Sequence, residues 1–321
     1  MLTKSNLEAL SAFRFGHAQN TEAGTGATVV IAPQGATCGV DVRGGAPATR
    51  ETDLLRPENM IENIHAVVLA GGSAFGLEAS CGVMDALAAR DIGFHLEGVV
   101  VPIVVGACLF DLLVGENCHP DKTMGVAATE AAFGGTTFGE GNVGAGTGAS
   151  VGKLLGAARA MKAGFGIEVL QSGEVIVGAL VALNALGNII GEDGNIIAGC
   201  RGENDAVVDG FDALLHAAEQ AQKAGEAAAS APQNTTLGII VTNAKLTKAQ
   251  ATKVSSTTHD AYARAISPVH TSQDGDAVFT LASGDIEAAP DVVAAIAVRA
   301  MQQAIYRAVK TATPAFGLPA Y

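Results

Sequence analysis

The chain has 321 residues, of which 49 % are hydrophobic and only 16 % are charged, so it can bury a substantial core. Its formal net charge of −13 argues against nucleic acid as a partner. The 40 glycines are spread along the chain instead of gathering in a low-complexity tract, which predicts a tightly turned globular protein and argues against disorder.

The N-terminal stretch MLTKSNLEALSAFRFGHAQN lacks both the apolar core and the small-residue cleavage site of a signal peptide. The most apolar window, VVVPIVVGACLFDLLVG, is interrupted by Pro102 and Asp111, so we expect no membrane partner. Five widely spaced cysteines form no CxxC pair and suit reduced thiols. These features predict a cytoplasmic protein.

Short runs rich in Val and Ile, bounded by Gly, Asn or Asp, predict buried strands along the chain. In chain order they are ATVVIA, HAVVLAG, GIEVL, VIVGALVALNA, GNIIAG, LGIIVT and AVFTLASG. Helical patterns lie between some of them, at residues 73–90, 211–230, 247–266 and 291–311, and the third begins with a capping box at Thr247. The interleaving lacks the regular period of a barrel or a Rossmann domain, so we predict a single layered α/β sandwich.

Two glycine-rich stretches resemble nucleotide-binding motifs but lack the required spacing. HAVVLAGGSAFG, around Gly72 and Ser73, has the strand–turn–helix form of an anion site without GxGxxG, and a tight turn that shapes a pocket wall is the preferred interpretation. GEGNVGAGTGASVGKLLG fails as a P-loop because Thr147 and Leu154 occupy the positions of a glycine and a metal-binding hydroxyl. Lys153, near its end, is either exposed on a flexible turn or held close to a substrate carbonyl.

The stretch QNTTLGIIVTN admits three interpretations at Asn234 and Thr235. It matches an N-glycosylation sequon, although the sequence shows no secretory signal, and it also suits an ordinary strand entry. In the third, the Thr235 hydroxyl attacks the Asn234 carbonyl through a five-membered ring, and water hydrolyses the resulting ester. The new terminal threonine then carries its own base, because a free α-amine has a pKa near 8 and reaches the same residue's hydroxyl. Residues 226–233, EAAASAPQ, would form a loop that can be released.

A terminal threonine nucleophile needs support from other side chains. Asp274 and Asp276, in HTSQDGDAVFTL, offer two carboxylates on one side of an extended segment, where they could position the ammonium group. Asn184, in VALNALGN, or Lys153 could stabilise an oxyanion. Alone, a DGD sequence is also typical of a turn or a solvated acid pair, and a strand asparagine of a structural role. Histidines 17, 65, 95, 119, 216, 259 and 270 show no metal-ligand spacing, so we expect no metal or cofactor.

Taken together, these stretches resemble one family over nearly the whole chain, the self-processing aminopeptidases, which include L-aminopeptidase/D-amidase/D-esterase and the β-aminopeptidases. The matching stretches are GTGATVVIAPQGATCGVDVRGGAPATRETD, LAGGSAFGLEAS, CHPDKTMGVAA, GAGTGASVGK, LNALGN, NTTLGIIVTNAKLT and the late DGD. Asn-Thr-Thr before the strand and both aspartates of DGD are most similar to the nylon-oligomer hydrolases, which cleave 6-aminohexanoate oligomers. Phe110 falls where those hydrolases have an active-site tyrosine.

The resemblance implies an αββα sandwich of the N-terminal-nucleophile type. It also implies a cut between Asn234 and Thr235 that leaves chains 1–234 and 235–321 associated in one domain, and a homo-oligomer of four or more copies. No cofactor is implied.

The resemblance further implies a hydrolase that cleaves small peptides or ω-amino-acid amides through an acyl-enzyme on Thr235. The residues implied around that threonine are Lys153, Asn184, Asp274 and Asp276. Three alternatives stay open: an aminopeptidase or D-esterase that releases N-terminal residues, an acyltransferase of the ornithine acetyltransferase type, and an uncut protein that binds a small ligand.

Overall fold

The computed structural model describes residues 1–224 and 234–321, and within them a mixed sheet of ten strands carries helices on its outer faces. The strands are β1 (Leu2–Lys4), β2 (Arg14–Asn20), β3 (Thr25–Val42), β4 (Ala48–Arg50), β5 (Asn63–Ala70), β6 (Phe94–Leu96), β7 (Val99–Val101), β8 (Val104–Cys108), β9 (Ser150–Val151), β10 (Met161–Lys162), β11 (Phe165–Ser172), β12 (Val175–Asn184), β13 (Asn188–Ile190), β14 (Ile196–Ala198), β15 (Thr235–Lys245), β16 (Ile266–Ser267) and β17 (Ala277–Glu287). The α-helices are α1 (Ala79–Ala88), α2 (Lys122–Phe133), α3 (Gly210–Ala224), α4 (Lys248–Ala265) and α5 (Pro290–Lys310).

Strand β3 is 18 residues long and belongs to both halves of the main sheet. Its first half pairs with β2 and β5, and its second half pairs with β17. The register with β5 shifts between Ile31 and Ala36, around Gly35, which has a positive φ of 79°. The strand order is β1-β11-β12-β15-β17-β3-β5-β8-β4, with β2 beside β3, so β3 joins two groups of strands.

Three apolar cores arrange these elements in four layers. The central core takes side chains from both groups of strands, among them Leu69 on β5 and Leu180, Ile239 and Phe279 on β12, β15 and β17. Because successive strand residues point to opposite faces, the alternate residues of β12, β15 and β17 pack on α4 and α5. The outer faces of β3, β5 and β8 pack on α1 and α2 in the same way. This order of helix, sheet, sheet and helix confirms the predicted αββα sandwich.

The predicted strands all occur, while two helical segments differ from the prediction. A 3₁₀ helix at Ser73–Glu78 precedes α1, because the chain enters it through left-handed backbone at Gly72 and Ser73. The pattern also gives no helix where α2 lies, since that Ala- and Gly-rich segment is only weakly amphipathic; its N-cap, Asp121, accepts from the Met124 amide.

The remaining helices follow the prediction closely. The capping box at Thr247 is present and begins α4. Helix α3 is described as far as Ala224, and the rest of its predicted range lies outside the described residues. Over the ranges that the structure covers, no helix is both long enough and apolar enough to cross a bilayer.

The topology brings the sequence-predicted polar residues to one edge of the sheet. Asn184 ends β12 and lies directly opposite Thr235, which begins the antiparallel strand β15. Strand β17 runs parallel to β15, so the segment just before it lies at the same edge. There the backbone of Asp274 forms an isolated parallel β-bridge with that of Asn234.

Candidate active site

The peptide bond between Asn234 and Thr235 is buried, and two donors contact its carbonyl oxygen. The Thr235 side chain donates from Oγ1 to the Asn234 carbonyl oxygen at 2.5 Å. The Gly275 amide donates to the same oxygen at 2.8 Å. Asn234 is 0 % exposed and Thr235 is 4 % exposed, which leaves no space for a glycan and argues against the sequon. The Thr235 hydroxyl therefore lies against the carbonyl group that self-cleavage would attack.

Glycine is required at position 275 by the close approach of three backbone segments. A Cβ on Gly275 would lie 2.7 Å from Oγ1 of Thr235 and 3.0 Å from the Ala46 carbonyl oxygen. On the other side, Gly44 packs so closely that its Cβ would lie 2.2 Å from the Asp274 carbonyl oxygen. The loop after β3 thus presses the Asp-Gly-Asp segment against the Asn234–Thr235 bond.

Both predicted aspartates are buried, and their carboxylates accept hydrogen bonds from backbone amides. Asp276 accepts from the Thr236 amide on Oδ1 at 2.7 Å and from the His270 ring nitrogen Nδ1 on Oδ2 at 2.7 Å. Asp274 accepts from the Thr271 amide on Oδ2 at 2.7 Å. Burial and the charge of Asp276 raise the pKa of the Asp274 carboxyl. The two carboxylates thus fix the backbone of the Thr271 and Thr236 segments near the Asn234–Thr235 bond.

Asn184 lies directly opposite Thr235 and forms a polar pair with Lys153. The Lys153 amine donates to Oδ1 of Asn184 at 2.6 Å and to its carbonyl oxygen at 3.0 Å. The Asn184 amide donates to the Phe110 carbonyl oxygen at 2.8 Å, and its Oδ1 also accepts from the Ser150 amide. Phe110 thus meets this network through its backbone.

Lys153 is a buried amine, so the exposed-lysine interpretation is wrong. It is 4 % exposed, and its backbone amide donates to the Leu186 carbonyl, which fixes the residue beside the end of β12. Burial lowers the pKa of the Lys153 amine to about 7, although the charges of Asp274, Asp111 and Asp276 raise it in part. The amine therefore changes charge close to neutral pH.

The turn at Gly72 binds a carboxylate of the protein itself, Asp111, which the sequence analysis did not select. Asp111 accepts from the Gly72 amide at 2.6 Å and from the Thr25 hydroxyl at 2.8 Å, and it is 2 % exposed. Burial raises the pKa of Asp111 to about 6. The Ser73 amide donates to the Leu109 carbonyl. The available signal was a single acid within the apolar run CLFDLL.

His270 is a second residue that the sequence analysis did not select. Its Nδ1 contacts Asp276, its φ is +56°, and its Nε2 is buried with no hydrogen-bond partner among the described residues. Its ring lies edge-on to that of His259, with centroids 4.8 Å apart. The signal was its position at the start of the HTSQDGD stretch that supplies both aspartates.

The structure describes the predicted pocket wall at Gly72 and Ser73 but not the predicted releasable loop. Gly72 contacts Asp111, whose charge acts on Lys153, whereas Ser73 donates to the Leu109 carbonyl instead. Residues 226–233, the predicted loop, lie outside the described residues. A cavity of about 780 Å³ lies on another part of the surface, between Phe13, Phe138 and Arg307, and its lining includes none of the site residues.

Sequence comparisons place this arrangement among hydrolases. The profile described as peptidase family S58 matches residues 10–319. An uncharacterized aminopeptidase of Mycobacterium tuberculosis is 38 % identical over 314 residues, covering 92 % of this chain and 88 % of the relative. A 6-aminohexanoate-oligomer endohydrolase of Paenarthrobacter ureafaciens is 34 % identical over 278 residues, covering 85 % of this chain and 73 % of the relative.

Solved structures support the same fold at lower sequence identity. A β-aminopeptidase of Burkholderia sp. superposes with a TM-score of 0.67 at 20 % identity, covering 97 % of this chain and 89 % of that one. The L-aminopeptidase D-Ala-esterase/amidase of Ochrobactrum anthropi, described as a variant of the Ntn hydrolase fold, gives 0.65 at 16 % identity, with coverages of 94 % and 84 %.

Proposed function

The chain belongs to peptidase family S58 and is a hydrolase of amide bonds, and we propose that it makes its own nucleophile by cutting itself between Asn234 and Thr235. The observation that carries this proposal is the contact between Oγ1 of Thr235 and the Asn234 carbonyl oxygen. The products are chains 1–234 and 235–321, which stay together because β15 lies inside the sheet, between β12 and β17. Thr235 then becomes an N-terminal residue.

Self-cleavage follows from the groups around the scissile bond. The Thr235 oxygen attacks the Asn234 carbonyl carbon, the C–N bond breaks, and the nitrogen takes up a proton and becomes the free amine of Thr235. Water hydrolyses the ester that now joins the two residues, which releases the Asn234 carboxylate and restores the hydroxyl. The Gly275 amide, at 2.8 Å from the carbonyl oxygen, is placed to stabilise the negative charge that forms on it.

In turnover, the freed α-amine of Thr235 acts as the base for its own hydroxyl. The oxygen attacks a substrate amide carbonyl, the amine passes the proton to the leaving amine, and water hydrolyses the acyl-enzyme. Asn184, paired with Thr235 across the strands, and Lys153 stabilise the oxyanion. The contribution of Lys153 as a cation falls as the pH rises through about 7, the pKa to which burial lowers its amine.

The substrates we propose are small peptides or ω-amino-acid oligomers that carry a free amine. Asp274 lies at the same sheet edge as the nucleophile, where it orients the Thr235 amine or receives the cationic end of a substrate. Asp276 acts through the strand itself, because it holds the Thr236 amide next to the nucleophile. Gly72, Ser73 and Phe110 belong to the substrate pocket. A relative of 34 % identity is named an oligomer endohydrolase, which supports 6-aminohexanoate oligomers as substrates.

Release of N-terminal residues is the second candidate activity, because relatives of 38 % identity are named aminopeptidases. Both activities use the same nucleophile and differ in which amide of the substrate reaches it. Product analysis on a linear 6-aminohexanoate oligomer separates them. Terminal cleavage releases monomer from the first turnover, whereas internal cleavage first gives two shorter oligomers and no monomer.

The test of the proposed function is turnover on a panel of aminoacyl amides and 6-aminohexanoate oligomers, with Thr235→Ala as the inactive control. We expect hydrolysis by the wild type and a transient acyl adduct on the chain that begins at Thr235. Activity in Thr235→Ala equal to that of the wild type would rule out this nucleophile. Products that couple the acyl group to an added amine, formed faster than the free acid, would indicate an acyltransferase instead.

We also propose that the chain works as a homo-oligomer of four or more copies. Supporting this, the short hairpin of β6 and β7 exposes four large apolar side chains, with Leu96 and Val99 about 60 % exposed. Exposed apolar clusters of this kind are typical of interfaces. Light scattering on the purified protein gives the copy number, and a monomer at micromolar concentration would contradict it.

A further inference from the structure

The two oxygens of the Asp276 carboxylate connect the nucleophile strand to His270. Oδ1 accepts from the Thr236 amide at 2.7 Å, one residue after the scissile bond. Oδ2 accepts from Nδ1 of His270 at 2.7 Å and from the His270 backbone amide at 3.3 Å. The Asp276 side chain is 1 % exposed, so these hydrogen-bond partners fix its orientation.

The Asp276–His270 pair lies behind the strand, on the opposite face from the nucleophile. Odd-numbered residues of β15, such as Ile239, face the central core, and even-numbered residues, such as Ile240, face α4 and α5. By this alternation Thr235 faces the central core and Thr236 faces the helices. The His270 ring packs on His259 of α4, which places the pair on the helix side. His270 is therefore not placed to touch a substrate on Thr235.

The contact with Asp276 decides which ring nitrogen of His270 carries a proton. A carboxylate only accepts hydrogen bonds, so Nδ1 of His270 carries the proton in this pair. His270 also has a left-handed backbone, which few non-glycine residues adopt and which aims Nδ1 and the backbone amide at one carboxylate oxygen. A strained backbone of this kind persists where the surrounding structure holds it in place.

We propose that His270 is a positioning residue that, through Asp276, fixes the backbone after Thr235 for both self-cleavage and turnover. This inference rests on the proposed function. Gly275 holds the carbonyl side of the scissile bond, and Asp276, held by His270, holds the amide of the residue on the other side. The segment from His270 to Asp276 thus hydrogen-bonds to the chain on both sides of the Asn234–Thr235 bond. A nucleophile displaced by about 1 Å can lose two orders of magnitude in rate.

The matched variants are His270→Asn and His270→Gln. The asparagine amide can donate from a position close to that of Nδ1, and asparagine tolerates a left-handed backbone. The glutamine amide reaches instead toward the position of Nε2 and leaves Oδ2 of Asp276 without its side-chain donor. The two variants are similar in polarity, and their melting temperatures show whether either is simply unfolded.

The experiment follows precursor cleavage after cell-free translation, and then turnover of the cut enzyme. We expect His270→Asn to cut within about threefold of the wild-type rate and His270→Gln to cut at least tenfold more slowly, with a matching loss in kcat and an unchanged KM. Equal rates for both variants and the wild type would overturn the inference. So would equal losses in both variants, or a better rate for glutamine than for asparagine.

A double-substitution cycle with Asp276→Asn tests whether His270 acts through that carboxylate. If it does, His270→Gln adds no further loss in the Asp276→Asn background. If the rate losses of the two single substitutions instead multiply in the double variant, the inference is overturned. If the wild type is never cut, the proposed function itself fails. If Thr235→Ala blocks the cut while His270→Gln cuts at the wild-type rate, only the role of His270 fails.

Discussion

Replacing Lys153 by methionine changes how the stability of the protein depends on pH. The amine is buried, and burial lowers its pKa to about 7 from an ordinary value of 10.5. Between these two values the unfolded chain binds more protons at this residue than the folded chain. The wild type therefore gains stability as the pH rises through this window, and the methionine variant lacks that contribution.

The size of the effect follows from the two pKa values. At about pH 6 the buried amine costs about 5 kcal/mol of folding free energy, and at about pH 9 it still costs about 2 kcal/mol. The difference in unfolding free energy between wild type and variant should thus shift by about 3 kcal/mol in favour of the wild type from pH 6 to pH 9. Contributions from groups that do not interact with Lys153 are common to both proteins and cancel in this difference.

Urea denaturation at both pH values measures this shift. The Thr235→Ala background keeps both proteins as one chain, so self-cleavage does not affect the result. Lys162→Met is the matched control, because burial also lowers the pKa of the Lys162 amine to about 7, and that amine donates to the carbonyls of Gly146, Ala149 and Ala163. It should show a similar shift. A free-energy difference for Lys153→Met that stays constant to within about 1 kcal/mol would refute a buried, readily deprotonated amine.

Three further predictions concern the chemistry. Asn184→Ala should lower kcat by two to three orders of magnitude in steady-state hydrolysis, about the loss that follows removal of one oxyanion donor, and a loss below threefold would contradict its role. Gly275→Ala should slow self-cleavage at least tenfold in a gel time course, because its Cβ would lie 2.7 Å from the Thr235 hydroxyl; cutting at the wild-type rate would show that the hydroxyl has room to move. Phe110→Tyr should raise kcat/KM on 6-aminohexanoate oligomers about tenfold if the added phenol donates to substrate, and an unchanged value would show that residue 110 acts only through its backbone.

The strands were predictable because buried strands leave a local signal. Runs such as VIVGALVALNA are continuous in Val, Leu and Ala, as expected of a strand covered on both faces, and β12 is covered in this way by two cores. The capping box at Thr247 is likewise a local feature with a local cause. Helix α2 left no such signal, because its small residues pack closely without a strong apolar stripe.

The candidate site was predictable in part, and the missing residues depend on contacts between distant parts of the chain. Resemblance to a family selected Thr235 and the residues around it, and the structure brings Asn184, Lys153 and the two aspartates to the same sheet edge. Asp111 becomes significant only when the fold places it against an amide 39 residues earlier in the chain. His270 lies six residues from Asp276, yet its role is visible only once that carboxylate also reaches Thr236 on the neighbouring strand.

The mass of the purified protein tests the central claim most directly. Self-cleavage predicts two chains, residues 1–234 and 235–321, with Thr235 at the new N-terminus by sequencing, and a single uncut chain for Thr235→Ala. The uncut chain has a mass of 32.2 kDa. A wild-type protein that remains one 32.2 kDa species after long incubation would contradict the account, and so would a new terminus at any other residue.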